Sequence, residues 1–157
     1  MSAVDFIDYH QHMLPDLLAA GRAALLRGQQ LPVLGLSLAG APESFSYRLE
    51  EGELHIEAGS AGAEIVVELA PEDWRGLLSD LESVPGILYG GRLRSHRGDL
   101  MQFMRWEPVL RALYTGRPIY QPGAFELRSA DGARLDPAAT FSLGDSAGQM
   151  REFLDAA

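Results

Sequence analysis

The apolar positions of the chain switch between a helical and a strand period, and each switch marks a new element. From Asp5 to Arg27, Phe6, Tyr9, His10, Met13, Leu14, Leu17 and Leu18 recur near a three-to-four spacing that Leu25 and Leu26 continue, which predicts a helix. Pro15 lies inside it, so a kink or two consecutive helices are expected, with Gly28 as the stop. Leu31 to Pro42 shows no clear period and reads as a connector with one apolar patch. Three alternating stretches follow. Phe45, Tyr47 and Leu49 form the first; Leu54, Ile56 and Ala58 form the second, across a tight turn at Glu51-Gly52. Ile65, Val67 and Leu69, within Ala63 to Ala70, form the third. Together they predict an antiparallel meander with one oily face and one acidic face bearing Glu53, Glu57, Glu64 and Glu68.

Pro71 opens a helix at its favoured first position, with Glu72 and Asp73 suiting the macrodipole. Trp74, Leu77, Leu78 and Leu81 are its apolar stripe, and Pro85-Gly86 breaks it before a short helical turn at Ile87, Leu88 and Tyr89. The organising stretch comes next. Gly90-Gly91 stops what precedes it, Arg92 to Arg97 runs as a short strand, and Gly98 turns the chain. Asp99 then caps a helix, Asp99 to Glu107, that carries Leu100, Met101, Phe103, Met104 and Trp106. Pro108 ends it and begins a second piece with Val109, Leu110, Leu113 and Tyr114, stopped by Gly116. Beyond lie an extended linker to Gly123, a hairpin around Asp131-Gly132, and an extended piece at Phe141 and Leu143. A capping box at Ser146 to Gln149 then leads a last helix with Met150, Phe153 and Leu154. The order predicts an α+β domain over residues 1–117 and a C-terminal extension over 118–157. One sheet face must be covered by the helices.

Composition narrows the function classes. The chain has 157 residues, 46% hydrophobic and 22% charged, which is globular and large enough for a real core. The longest apolar run, Leu31 to Ala41, is too short and too interrupted to span a bilayer, so no stable membrane insertion is expected. The N-terminus lacks the basic flank of a secretion signal. The absence of cysteine excludes disulfides, thiolate metal sites and a Cys nucleophile, and is in keeping with a cytoplasmic protein. A net charge of −9 argues against nucleic-acid binding. Residues 92–117 run against that balance, with six arginines and two acids. Every basic residue is Arg; this suits bidentate recognition of phosphate or carboxylate, and coding bias explains it equally well.

Residues from about Phe6 to Gly116 resemble the sterol carrier protein type 2 family. The likeness lies in the strand-turn-strand-loop-strand run from Phe45 to Ala70, the helix opened by Pro71-Glu72-Asp73-Trp74, and above all Leu88 to Leu100. There Gly91-Arg92-Leu93-Arg94 followed by Gly98-Asp99-Leu100 is similar to the family's glycine, basic-apolar-basic strand, and capped apolar helix. Ser95-His96-Arg97 and Pro108 depart from the pattern. The resemblance implies a roughly five-stranded, mainly antiparallel sheet covered on one face by helices. An apolar cavity would lie between them, binding a sterol, fatty acid or acyl-CoA without catalysis. A second likeness covers Thr140 to Ala157, which resembles the lead-in of phytanoyl-CoA dioxygenase-like proteins, iron and 2-oxoglutarate oxygenases. It implies either a carrier-like domain from the front of an oxygenase or a free-standing protein with a short capping tail.

Candidate site residues divide into two groups. Trp74, Leu77, Leu78, Leu81, Leu88, Leu93, Leu100, Phe103 and Met104 would line the cavity, where flexible, polarisable Met suits varied shapes. Periodicity alone favours a closed core instead. Arg92, Arg94 and Arg105, with Arg97 near by, would receive a carboxylate or CoA phosphates at its mouth, Arg92 and Arg94 sharing a strand face. The other reading is a solvated face that neutralises Glu57 and Glu68. His55-x-Glu57 has the local spacing of a facial triad and needs a second His from long range, for which His10, His12 and His96 are available. A two-position pattern arises often by chance, and His10 and His12 point apart on a helix. The serines lack a nucleophile-elbow context, and no phosphate-cradling glycine motif occurs. The expectation is therefore a non-enzymatic lipid-binding module with no catalytic residues, cofactor or metal. It would hold or present a hydrophobic substrate, and the recipient implied by the second likeness is an oxygenase domain in the same chain or assembly. The alternative is a closed structural unit that forms a homodimer through Trp106, Tyr114 and the patch at Leu31 to Leu38.

Overall fold

In the computed structural model, which describes residues 4–119, Asp5 opens the first helix. Its carboxylate accepts the amides of Ile7 and Asp8 at 3.0 and 2.9 Å. Helix α1 (Phe6–Asp8) passes at once into a π-helical stretch, Tyr9–Met13, and then into α2 (Leu14–Ala19). The Leu14 amide reaches back to the Tyr9 carbonyl, one residue further than in an α-helix. The irregularity expected at Pro15 thus falls in the turn before it. Pro15 has no N–H to offer and its ring crowds the carbonyl four residues back, so the ladder slips there. The widened turn buries both Tyr9 and His10, adjacent residues that an α-helix would spread by about 100°. The helical stretch expected to run to Arg27, kinked or as two helices, ends with a separate 3-10 turn at Arg22–Leu26.

The stretch read as a connector contains the central strand. β1 (Leu34–Leu38) lies between β2 (Ser44–Glu50) and β4 (Ile65–Leu69), with β3 (Glu53–Ala58) outside β2 and β5 (Arg94–Arg97) outside β4. β1 pairs antiparallel with β2 and parallel with β4; β2–β3 and β4–β5 are antiparallel. The three middle strands are therefore not a meander, because β4 never meets β3. After the β2–β3 hairpin the chain crosses the outer face of β1 to reach its far side. Gly35 permits the crossing: a Cβ there would stand 2.6 Å from Ser60 Cβ and 3.0 Å from Ala63 Cβ.

Leu34, Leu36 and Leu38 share the inner face with Phe45, Tyr47, Ile65, Val67 and Leu69, all buried. Helices cover this face. α3 (Pro71–Leu78) packs against α6 (Glu107–Thr115), α6 against α2 and the 3-10 turn, and α5 (Leu100–Phe103) against β4. α4 (Val84–Tyr89) holds Pro85 in its first turn, so the Pro85-Gly86 breaker starts a helix as well as separating two. The helix expected over Asp99 to Glu107 is one turn long, ending at Phe103, and Pro108 sits in the first turn of α6. Arg22 ties the far end of α6 to the N-terminal segment through the carbonyls of Ala112, Leu113 and Tyr114, at 3.0–3.4 Å. The hairpin, extended piece, capped helix and oxygenase-like stretch expected after residue 119 lie outside the described residues, as does most of the linker. All described residues belong to one compact unit.

The turn from β5 into α5 presses on the sheet. Gly98 has φ +77°, and a Cβ there would lie 2.5 Å from the Glu64 carbonyl oxygen and 3.1 Å from Ile65 Cα. Both the backbone conformation and the space demand glycine. Gly98→Ala is expected to cost about 2 kcal/mol or more of stability, read as a lowered urea midpoint with an unchanged slope.

Candidate functional site

The expected lining residues do meet, apart from one. Trp74, Leu77, Leu78 and Phe103 are fully buried, Leu93 is buried, and Leu88, Leu100 and Met104 pack half-buried against the same cluster. Leu81 does not join them. α3 ends at Leu78, Asp80 takes a left-handed conformation at φ 63°, and the Leu81 side chain is 83% exposed. The i+7 spacing held in sequence, but the helix stops before it. Tyr89 and Met101 are the other large apolar side chains that face outward among the described residues.

Between sheet and helices the space is filled by rings. Phe6 packs edge-on against Phe45 and Trp74, His10 stacks on Phe45 at 4.2 Å, and Trp106 meets Tyr47 at 5.8 Å. Four surface hollows of about 400–600 Å³ lie elsewhere. One is at the β2–β3 turn, one beside Arg27 to Leu31, one on the outer face of β1 and β4, and one beside Asp99. None of these four is lined by the expected cavity residues. Trp106, placed by sequence on a self-association surface, is fully buried, with its indole N–H donated to the Pro32 carbonyl at 2.9 Å. Leu34 and Leu36 of the same supposed surface are buried in the sheet centre.

The arginines have separate partners. β5 begins at Arg94, so Arg92 lies before the strand and does not share its face. Arg92 forms ion pairs with the buried Asp73 and with Glu82, the latter at 3.2 Å. Arg94 and His96 flank Glu68 at 3.5 and 3.4 Å, His96 being the extra residue of a β-bulge opposite Val66 and Val67. Arg97 donates to the carbonyls of Ala61 and Ala63, and Arg105 to that of Gln30. Burial pushes the Asp73 carboxyl up, and the Arg92 guanidinium only partly offsets it. His55 and Glu57 are exposed on β3, and no metal-competent cluster of acids and histidines occurs among the described residues.

Sequence reasoning missed the interior polar group. His10 is buried, with Nδ1 2.6 Å from the Phe6 carbonyl and Nε2 bonded to the Tyr47 hydroxyl. A carbonyl only accepts, so Nδ1 carries the proton and the Tyr47 hydroxyl donates to Nε2. Burial lowers the His10 pKa from 6.5 to about 4, the bond to Phe6 pulling weakly the other way. Burial likewise pushes the Tyr9 and Tyr47 hydroxyls up. His10 sits on the helical stripe, but the apolar period alone could not pair it with Tyr47.

No family model matches the chain, and no curated protein matches it. Solved structures do. The apo form of sterol carrier protein 2 from Yarrowia lipolytica aligns with a TM-score of 0.52 and 16% identity, over 73% of this chain and 99% of that one. Sterol carrier protein domain 2 of Helicoverpa armigera gives 0.47 and 15%, over 77% and 100%. A sec-alkylsulfatase from a Pseudomonas species gives 0.43 and 14%, over 66% of this chain but 15% of the enzyme.

The unfolded chain ionises His10 near 6.5 and the folded chain near 4, so acid favours unfolding. Stability from the neutral ring is complete above pH 6.5 and lost as pH falls towards 4, on the order of 3 kcal/mol in all. The urea midpoint of the wild type is expected to fall more steeply than that of His10→Phe between pH 6.5 and 4.5. Parallel curves would show that His10 is not held neutral.

Proposed function

Because the chain carries the fold of sterol carrier protein 2, we propose that it is a non-enzymatic lipid-binding module whose ligand enters between the sheet and the helices. The observation that carries the reading is the construction of the cover. The inner face of a five-stranded sheet is roofed by short helices, none among the described residues longer than nine, joined by turns. Such a roof parts along its joints without breaking a long hydrogen-bonded ladder. α5 is a single turn that carries exposed Met101 and is followed by half-buried Met104, and unbranched thioether side chains re-pack readily around an inserted chain. Trp74, Leu77, Leu78, Leu88, Leu93, Leu100, Phe103 and Met104, which pack in one apolar cluster, become the lining when the cover parts.

Burying about ten methylenes at ~0.8 kcal/mol each gives a ceiling near ~8 kcal/mol before ordering costs, so micromolar binding needs no dedicated anion contact. This fits arginines already engaged by Asp73, Glu82 and Glu68. The ligand class is a long-chain lipid, with acyl-CoA the variant that recruits Arg94 and Arg105. The proposed recipient, on the likeness of Thr140 to Ala157, is an iron and 2-oxoglutarate oxygenase domain. A second reading, a structural unit with a permanently closed core, is favoured by the full burial of Trp74, Leu77 and Phe103.

Native mass spectrometry separates the two. Freshly purified protein carrying an added lipid mass supports the first, and the bare chain mass with no uptake of added lipid supports the second. Delipidated protein is expected to bind a fluorescent fatty acid or its methyl ester at micromolar concentration. Met104→Arg should weaken that binding more than tenfold by placing a charge in the apolar layer. Unchanged binding in the variant rejects the proposed lining.

A further inference from the structure

Among the described residues, buried Arg111 Nε has Asp80 at 3.0 Å, whereas the Tyr9 hydroxyl and the Trp74 indole N–H are buried donors with nothing to donate to. Both side chains are fully buried, and their ring centroids stand 5.6 Å apart at an interplanar angle of 71°. They come from different elements, Tyr9 from the π-helical turn and Trp74 from α3. A buried donor without an acceptor has given up its water for nothing, so such atoms are rare and point to a missing partner. His10 lies beside both, 5.2 Å from Tyr9 and 6.1 Å from Trp74 by ring centroid. It cannot serve as that partner, because its one acceptor nitrogen already takes the Tyr47 hydroxyl.

We infer that the Tyr9 hydroxyl and the Trp74 indole N–H form the polar end of the ligand site and receive a neutral oxygen, that of an alcohol, ester or ketone, on an otherwise apolar molecule. The inference rests on the lipid-binding reading and adds the chemistry of the ligand's head. Two donors on neighbouring rings ask for an oxygen with two lone pairs, which an ester, a ketone or an alcohol supplies. The surroundings argue for a neutral group. His10 is uncharged, and Arg22 has Nη1 committed to three carbonyls at the end of α6. A carboxylate would meet only the Arg22 guanidinium, whose Nη1 is already bonded to carbonyls of α6, and desolvation would oppose it. The same environment keeps the Tyr9 hydroxyl protonated despite Arg22.

The test uses the full chain, delipidated, at neutral pH, with four pyrene-labelled probes of one chain length: the alcohol, the methyl ester, the free acid and the parent hydrocarbon. The alcohol and ester are expected to bind at least about tenfold tighter than the ionised acid. Tyr9→Phe should weaken alcohol and ester about five- to tenfold and leave the hydrocarbon unchanged, as loss of one hydrogen bond requires. Trp74→Phe also removes volume, so its effect is read as a fall in the ratio of ester to hydrocarbon affinity. The empty Tyr9→Phe protein should melt no lower than the wild type, because it loses an unpaired hydroxyl. If no probe binds, the hydrocarbon included, the lipid-binding reading falls and this assignment falls with it. Binding of hydrocarbon and ester with no effect of Tyr9→Phe, or an acid that matches the ester, overturns the assignment alone. So does a lower melting temperature for Tyr9→Phe, which would show that the hydroxyl already has a partner.

Discussion

The close passage of the loop at residues 59–64 over Gly35 holds the rest of the structure in place. β1 takes hydrogen bonds from both sides, antiparallel to β2 and parallel to β4. A parallel neighbour demands that the chain cross over rather than turn back. Here the β2–β3 hairpin fills one side, and the return to the other runs across β1 with side chains near contact distance of a missing Cβ. The Glu64 and Ile65 amides fix the end of that crossing on the Val33 carbonyl, at 2.8 and 3.1 Å. From that point β4, the helices and β5 follow, and Gly98 closes the circuit by pressing back on Glu64 and Ile65.

The inner face inherits its character from this arrangement. Leu34, Leu36 and Leu38 align with Phe45 and Tyr47 on one side and with Ile65, Val67 and Leu69 on the other. Aromatic residues from the N-terminal segment, α3 and the α5–α6 turn settle onto that surface. The layer is buried but not wholly apolar. His10 and Tyr47 satisfy each other, while Tyr9 and Trp74 hold donors in reserve.

The outer surface settles the question of the arginines differently from the interior. The basic excess at residues 92–117 is spread over partners from α3, β4 and the loops, so it acts first as a set of ties between elements. Exposed ion pairs contribute little each. The bond from Arg92 to Asp73 differs, because Asp73 is buried and its other oxygen is unpaired. That carboxylate depends on one guanidinium from outside the helix that carries it.

Local patterns determined what local forces can determine. The alternation in β2, β3 and β4, the Pro71 helix start, the Asp99 cap and the role of Pro108 were all legible, because each depends on neighbours a few residues away. So was the membership of Trp74, Leu77, Leu78 and Phe103 in the apolar layer. β1 carried the same signal over Leu34–Leu38, blurred by Leu31 and Val33 before it and by Ala39 and Ala41 after it. What the sequence left open were matters of long-range pairing: that β4 joins β1 in parallel, that Leu81 falls beyond its helix, that Trp106 turns inward to Pro32, and that His10 meets Tyr47. Periodicity reports which face a residue takes on its own element. Only the folded chain decides which other element that face meets, since the partner is chosen by packing between residues tens of positions apart.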